Sequence, residues 1–128
     1  MQKRNILLID DDCVAHLIVR KTFLPLTWVN RIDSAFNGQE GLEMLERFCK
    51  RLVLIPDIIL LDLHMPVMDG FGFLESFNKM NCLKPKGLVV IVVSSSECPE
   101  EHKRARSLGV KHFFSKPISL EKIEAVLS

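Results

Sequence analysis

The sequence predicts an α/β fold in which helices cover both faces of a doubly wound, five-stranded parallel sheet. Short apolar segments alternate with amphipathic segments along the 128 residues. Several of the short segments are apolar throughout, which is typical of strands that are covered on both faces of a parallel sheet. Right-handed crossovers between such strands give a doubly wound fold, for which we expect the common strand order of small members, 2-1-3-4-5.

The first strand and helix are predicted within residues 6–24. Residues 6–9 form a continuous apolar run of the buried-strand type. Residues 13–24 predict a helix, because apolar residues recur there at helical spacing and Pro25 cannot continue it. These apolar residues are Val14, Leu17 and Ile18.

The next two units repeat this alternation. Residues 29–36 predict a partly alternating strand, and residues 39–51 predict a helix. The buried stripe of that helix is predicted to contain Leu42, Leu45 and Cys49. Residues 57–62 predict a second buried strand, and residues 69–80 predict the helix after it. The inward side of this helix is predicted to carry Phe73, Phe77 and Met80.

The last two units complete the sheet. Residues 88–93 are apolar throughout and predict the fourth strand, and residues 99–108 predict an unusually polar helix. The apolar contacts that this helix offers are Ala105 and Leu108. Residues 110–114 predict the fifth strand, and Ser119 suits the N-cap of a last helix. That helix is predicted to direct inward Ile123, Val126 and Leu127.

The composition limits the classes of partner. Lys and Arg number 17 against 16 Asp and Glu, and this near-zero balance argues against direct nucleic-acid binding. The longest apolar run, residues 88–93, is far shorter than the roughly 20 residues of a membrane-spanning helix, and no signal peptide is visible. We therefore expect a cytoplasmic protein that does not insert into the membrane.

The cysteines predict free thiols. They are scattered without CxxC spacing, and no histidine lies at a zinc-ligand spacing from them. We expect four unpaired side chains in a reducing compartment, with a disulfide or a zinc site as the alternatives. The residues are Cys13, Cys49, Cys82 and Cys98.

Charged and hydroxyl-bearing residues follow four of the predicted strands. Asp10 and Asp11 follow the first strand, and Asp62 ends the third. Ser94 follows the fourth strand and Lys116 follows the fifth. Because ligands of such sheets bind beyond the carboxyl ends of the strands, we expect these five side chains to meet at one edge.

The charges of this cluster indicate a metal site. Two carboxylates about 4 Å apart repel by roughly 4 kcal/mol at an effective dielectric constant near 20, so three of them need a cation. Carboxylate oxygens without a neighbouring His or Cys ligand favour Mg²⁺, with Mn²⁺ as the alternative. Lys116 adds a positive charge and Ser94 a hydroxyl donor. The set is therefore suited to receive a phosphoryl group, with an aspartate as the nucleophile.

Four segments, in this order and spacing, resemble the receiver domain of two-component response regulators. The segments are LLIDDD, IILLDLHMPVMDG, VVSSS and FFSKP. The resemblance covers essentially the whole chain and implies a flavodoxin-like fold of the CheY-like, single-domain kind. Residues 1–128 would then form one receiver domain without an output domain.

The resemblance implies a role for each residue at the strand ends. Asp62 would accept the phosphoryl group, Asp11 would bind Mg²⁺ directly and Asp10 would act largely through a bound water. Asp62 and the backbone carbonyl of His64 would complete the protein ligands. Lys116 would pair with Asp62 at rest and with a phosphoryl oxygen after transfer. Its peptide bond to the following proline would be cis.

The resemblance also implies a conformational switch. Ser94 would hydrogen-bond the phosphoryl group, and Phe113 would move inward when that hydroxyl moves. His64 and Ser96, each two residues beyond a site residue, would tune how fast the phosphoryl group is lost. Asp12 has no site role by this resemblance and suits the start of the first helix, where a carboxylate meets the helix dipole.

The function implied is a signalling switch rather than an enzyme, although it promotes its own Mg²⁺-dependent phosphorylation and dephosphorylation. The donor would be a histidine kinase or a histidine phosphotransfer protein. The output would be contact with another protein through the fourth helix, fifth strand and fifth helix, or onward phosphotransfer.

Two other functions share parts of the pattern. A constitutive adaptor with this fold usually lacks one or more of the site residues, all of which this chain retains. An aspartate-nucleophile phosphohydrolase uses the same chemistry but has a second acid two residues after the nucleophile, where this chain has His64. A switch gains one phosphoryl group on an aspartate and does not turn over further phosphate, which distinguishes it from both alternatives.

Overall fold

Five strands alternate with five helices in the computed structural model, which describes residues 2–51, 55–82 and 87–128. In chain order the elements are β1 (Arg4–Ile9), α1 (Cys13–Phe23), β2 (Val29–Ala35), α2 (Gly38–Arg51), β3 (Ile58–Leu61), α3 (Gly70–Phe77), β4 (Val89–Ser94), α4 (Pro99–Ser107), β5 (His112–Ser115) and α5 (Leu120–Leu127). All neighbouring strands are parallel, and their order is β2-β1-β3-β4-β5. The predicted fold class and strand order are therefore confirmed.

The sheet separates two apolar clusters. On one face, α1 and α5 pack through Val19, Phe23 and Ile123. On the other face, α2, α3 and α4 contribute a larger cluster that includes Leu45 and Phe73. The side chains of β3 are fully buried, because the strand lies at the centre of the sheet and is covered on both faces.

Capping side chains fix the starts of three helices. Asp12 precedes α1 and accepts from the backbone N–H of Val14 at 2.9 Å, so its position at a helix start is confirmed. Asp69 caps α3 in the same way through Gly72 N–H at 2.9 Å. Ser119 precedes α5 and accepts from the N–H of Lys122, as its sequence position predicts.

The apolar residues that predicted α1 do not form its buried face. Val14, Leu17 and Ile18 are between 50% and 59% exposed. The buried residues of α1 are instead His16, Val19 and Phe23. Both sets recur every three or four residues, so periodicity alone finds the helix but does not orient it. An apolar strip of α1 consequently faces outward.

Most element boundaries lie within one residue of the predicted ones, but β1, α3 and β5 differ by two or three residues. β1 begins at Arg4 rather than at residue 6. The last helical turn of α3 ends at Phe77, and β5 begins at His112 rather than at residue 110. Gly109 has a φ of +96°, and the N–H of Val110 bonds to the carbonyl of Ala105. Residue 110 therefore completes the C-terminus of α4 before the strand begins.

The prediction of four free thiols is wrong for Cys49 and Cys82, which form a disulfide. Cys49 lies near the end of α2 and Cys82 follows α3, and these two helices lie on the same side of the sheet. Their separation of 33 residues is closed by the packing of α2 beside α3, which local spacing does not show. Cys13 and Cys98 are free.

Candidate functional site

Three carboxylates meet at the carboxyl edge of β1 and β3. The two strands pair so that Ile9 lies opposite Leu61, and the chain then delivers Asp10 and Asp62 side by side. Asp10 is 2% exposed and Asp62 is 7% exposed, whereas Asp11 is exposed. One carboxylate oxygen of each aspartate lies within 4.8 Å of the other two. The strand register, rather than a local motif, creates this cluster.

Backbone groups and a histidine hold Asp10 in place. Its Oδ1 accepts from the N–H of Asp12 at 2.9 Å, within the turn that starts α1. Its carbonyl accepts from Nε2 of the buried His16 at 2.7 Å. The His16 ring also lies against Phe36, with the ring centroids 4.3 Å apart. The position of Asp10 is thus fixed on both its side-chain and its main-chain oxygen.

Lys116 reaches the cluster from the end of β5. Its Nζ lies 2.9 Å from Oδ2 of Asp10 and 3.7 Å from Oδ2 of Asp62. Its peptide bond to Pro117 is cis. The Lys116 ammonium therefore contacts both acids, but its hydrogen bond goes to Asp10 rather than to Asp62. Burial opposes the charged form, yet the hydrogen bond and the negative charge of Asp10 raise the pKa of Lys116 above its usual value.

The surroundings of Asp62 disfavour its charged form. Burial raises its pKa above the ordinary value of 3.8, the ammonium of Lys116 acts in the opposite direction, and the charge of Asp10 raises the pKa further. The backbone N–H of His64 also donates to it and favours the ionised form. A cation placed among the three carboxylates would therefore stabilise the ionised Asp62.

Ser94 ends β4 and is fully buried. It pairs with Ser115 across the sheet, and its carbonyl accepts from the N–H of Lys116 at 3.0 Å. Its hydroxyl oxygen accepts from the N–H of Ser96 at 3.1 Å. The structure thus places Ser94 beside the strand that carries Lys116, with its hydroxyl engaged by the β4–α4 loop.

The remaining predicted residues lie around the acid cluster rather than within it. The His64 side chain is 56% exposed and donates through Nε2 to Oε1 of Glu101, 3.0 Å away. Ser96 donates its hydroxyl to the same oxygen, and this hydrogen bond lowers the pKa of Glu101 below its usual value. Phe113 is partly buried and stacks on His102, with ring centroids 3.7 Å apart.

Three residues in these contacts carried no functional signal in the sequence. His16, Glu101 and His102 belong to no motif, and each gains its contact only when α1 or α4 packs on the sheet. The polar composition of α4 was the nearest indication, because its side chains need partners outside the apolar core.

The donor set at the carboxyl edge fits a hard divalent cation. It offers carboxylate oxygens from Asp10, Asp11 and Asp62, and among the described residues it includes no histidine nitrogen or thiolate. Oxygen-only ligands suit Mg²⁺ and Mn²⁺ rather than zinc or copper. The neighbouring ammonium of Lys116 leaves the site suited to a ligand that brings negative charge.

The family model of the response regulator receiver domain matches residues 6–128. This span includes the acid cluster together with Ser94 and Lys116.

The chain belongs to this family of receiver domains.

Known relatives of this receiver domain include signalling proteins of different lengths. It is 38% identical over 122 residues to the sensor histidine kinase CheAY of Helicobacter pylori, covering 95% of this chain and 14% of the kinase. It is 25% identical over 126 residues to a probable chemotaxis protein CheY of Rhizobium etli, covering 98% of this chain and 91% of that protein. The chain thus spans only a small part of the first relative.

A solved structure shares the fold of this receiver domain along nearly its whole length. A chain of the CheX–CheY–BeF₃–Mg²⁺ complex from Borrelia burgdorferi superposes with a TM-score of 0.76 at 25% identity. The match covers 99% of this chain and 91% of that chain.

Receiver domains serve two-component signalling, and phosphorylation on an aspartate with Mg²⁺ is a general feature of the family. They generally act as switches rather than as enzymes, and they interact with histidine kinases or phosphotransfer proteins. Their metal ion, Mg²⁺ or Mn²⁺, binds in an acidic pocket, to which the three-aspartate cluster corresponds. Among the described residues, no helix is both long and apolar enough to cross a membrane.

Proposed function

We propose that this chain is a phosphorylation-controlled switch that accepts a phosphoryl group on Asp62. The observation that carries the proposal is the geometry around that residue: it lies in a cluster with Asp10 and Asp11, and Lys116 Nζ is 3.7 Å from its Oδ2. Asp10 already accepts hydrogen bonds from Lys116 Nζ and from Asp12 N–H, whereas Asp62 follows the central strand β3 and lies 3.7 Å from the Lys116 ammonium. Asp62 is therefore the carboxylate best placed to act as the nucleophile.

The transfer is a substitution at phosphorus. A carboxylate oxygen of Asp62 forms the new bond to phosphorus, while the bond from phosphorus to the nitrogen of the donor histidine breaks and its electron pair returns to the imidazole. Lys116 neutralises charge on the transferred oxygens, and it can move from Asp10 toward the new phosphoryl group because its ammonium is on a flexible stem. Ser94 supplies a hydroxyl donor at the next strand end.

We assign the metal to Asp10, Asp11 and Asp62, with the backbone carbonyl of His64 as a further ligand. When bound, Mg²⁺ or Mn²⁺ would offset the repulsion among the three carboxylates and the incoming phosphoryl oxygens. The buried Asp10 is already fixed by two hydrogen bonds, so it provides a rigid side of the site. The exposed Asp11 would hold the metal on the side of the site that is open to solvent.

The donor would be a histidine kinase or a histidine phosphotransfer protein. A groove of about 330 Å³ borders the site and includes both Lys116 and the outward residues Val14 and Ile18. A protein that presents a phosphohistidine to Asp62 would therefore contact the residues that line this groove. The outward apolar strip of α1 therefore supports a protein donor that buries apolar surface beside the site.

The output would pass through the face formed by α4, β5 and α5, either to a downstream protein or through onward phosphotransfer. The α4 helix buries only Ala105, so few apolar contacts oppose its displacement. Phe113 lies on the adjacent strand and is half-buried beneath it. Phosphorylation would bias an equilibrium between two arrangements of this face.

Mass spectrometry with a small phosphodonor tests the proposal. The parent protein, incubated with acetyl phosphate and Mg²⁺, is expected to gain the mass of one phosphoryl group, and Asp62→Ala is expected to gain none. Asp57→Asn is the matched control, because Asp57 lies just before the opposite end of the same strand and accepts from Asn5 N–H at 2.7 Å. It should label like the parent.

Two outcomes would contradict the proposal. A parent protein that gains no mass would indicate a constitutive adaptor. Continuous release of phosphate from many phosphomonoesters would instead indicate a phosphohydrolase.

A further inference from the structure

Glu101 connects α4 to two loops at the edge of the site. It lies in the first turn of α4, and its Oε1 accepts from the hydroxyl of Ser96 and from Nε2 of His64. Ser96 belongs to the loop after β4, and His64 belongs to the loop after β3. One carboxylate oxygen thus joins the two loops that follow Ser94 and Asp62.

Every polar group of Ser96 forms a hydrogen bond. Besides its bond to Glu101, its carbonyl accepts from Nε2 of His102 at 3.1 Å, and its hydroxyl oxygen accepts from the N–H of Cys98 at 3.3 Å. Its own N–H donates to the hydroxyl oxygen of Ser94 at 3.1 Å. The position of the Ser94 hydroxyl is therefore tied to that of Ser96, and Ser96 is tied to α4.

The neighbouring residue of α4 holds the second switch residue. His102 stacks on Phe113 with ring centroids 3.7 Å apart and an interplanar angle of 29°. Consecutive residues, Glu101 and His102, therefore act on Ser94 through Ser96 and on Phe113 directly. Any rearrangement that moves Ser94 and Phe113 together must break contacts of this one helical turn.

We propose that Glu101 is a positioning residue that holds the Ser94 hydroxyl in its resting place through Ser96 and so keeps α4 in the unphosphorylated arrangement. This inference rests on the proposed function, because Ser94 has to move toward the phosphoryl group to donate its hydroxyl to it, and that movement stretches the hydrogen bond that Ser94 accepts from Ser96 N–H. Weakening the hold of Glu101 on Ser96 lowers the cost of that movement. Loss of the Glu101 carboxylate therefore favours the phosphorylation-competent arrangement.

Four proteins test this role. Glu101→Gln weakens the two hydrogen bonds that the Glu101 carboxylate accepts from Ser96 and His64. Ser96→Ala removes the first of these bonds without changing the charge. Glu100→Gln is the matched control, because Glu100 lies in the same helical turn and, among the described residues, its carboxylate accepts a hydrogen bond only from the Cys98 thiol. The parent, compared under the same conditions, provides the reference rate and exchange pattern.

The first measurement is the phosphorylation rate with acetyl phosphate at saturating Mg²⁺. We expect Glu101→Gln and Ser96→Ala to raise the maximal rate roughly three- to tenfold, the range that corresponds to the net loss of one typical hydrogen bond. The donor concentration at half-maximal rate should not change, because the proposed role of Glu101 is to hold Ser96 and not to bind the donor. Glu100→Gln should match the parent.

The second measurement is hydrogen exchange without donor. The amides of α4 (Pro99–Ser107) should exchange faster in Glu101→Gln and Ser96→Ala than in the parent and Glu100→Gln. A parent that is not phosphorylated refutes the proposed function itself. A parent that is phosphorylated, with unchanged rate and exchange in both variants, overturns only the role of Glu101. Equal acceleration in Glu101→Gln and Glu100→Gln, with none in Ser96→Ala, would also overturn it, since the effect would then be one of charge.

Discussion

Replacing Lys116 by methionine tests the electrostatic balance of the site. The variant keeps an apolar stem of similar length but removes the ammonium group, which lies 2.9 Å from Asp10 Oδ2 and 3.7 Å from Asp62 Oδ2. Asp10 is only 2% exposed and Asp62 only 7% exposed, so water screens these carboxylates poorly. Their charges would then lack a fixed cation in metal-free buffer.

The distances set the size of the effect. At an effective dielectric constant near 20, the attraction of the ammonium is roughly 6 kcal/mol at the shorter distance and roughly 4 kcal/mol at the longer one. Desolvation offsets much of this, and removing one partner of a buried pair costs about 3 to 5 kcal/mol. The Lys116 side chain keeps 27% exposure, so we expect the lower end, a loss of about 3 kcal/mol in the free energy of unfolding.

Urea denaturation in EDTA measures this loss. Lys111→Met is the matched control, because Lys111 is exposed and such a surface substitution changes stability by about 0.5 kcal/mol or less. Adding Asp10→Asn to Lys116→Met should recover part of the loss, since the unpaired buried charge is then absent. Mg²⁺ should stabilise Lys116→Met more than the parent, because no ammonium competes for the carboxylates. Equal stability of the two methionine variants in EDTA would refute the reasoning.

Three further predictions follow from the same structure. Burial raises the pKa of Asp62 in the folded protein. The contribution of this carboxyl group to the free energy of unfolding is therefore fully present below the ordinary pKa of 3.8 and is lost as the pH rises through the folded-state pKa. In EDTA, the stability of Asp62→Asn relative to the parent should therefore increase over that rise, and a pH-independent difference would contradict it. Cys82→Ser should lower the free energy of unfolding by about 3 to 4 kcal/mol, as expected for a disulfide across 33 residues. Reductant should cause the same loss in the parent, and a parent that does not respond would exclude the bond. Asp11→Ala should abolish Mg²⁺ binding in calorimetry while Asp12→Ala preserves it, because Asp12 caps α1; equal losses would refute this division of roles.

The fold could be predicted from the sequence because its signals are local and repeated. Strands covered on both faces need apolar residues at every position, as β3 shows, and helices between them need only one apolar side. Parallel strands then place their carboxyl ends at one edge. That geometric rule predicts that Asp10, Asp62, Ser94 and Lys116 meet at this edge of the sheet.

The sequence by itself determined the alternation of strands and helices and the polar side chains that follow the strands, because both are properties of short segments of the chain. The strand order was predicted as the common one for a small fold of this kind. Only the tertiary structure decided which side of α1 is buried, that Cys49 pairs with Cys82, and that Lys116 bonds to Asp10. It alone also decided the contacts of Glu101. These features depend on how the helices rotate and pack on the sheet, because that packing brings residues that are far apart in the chain within a few ångströms of one another.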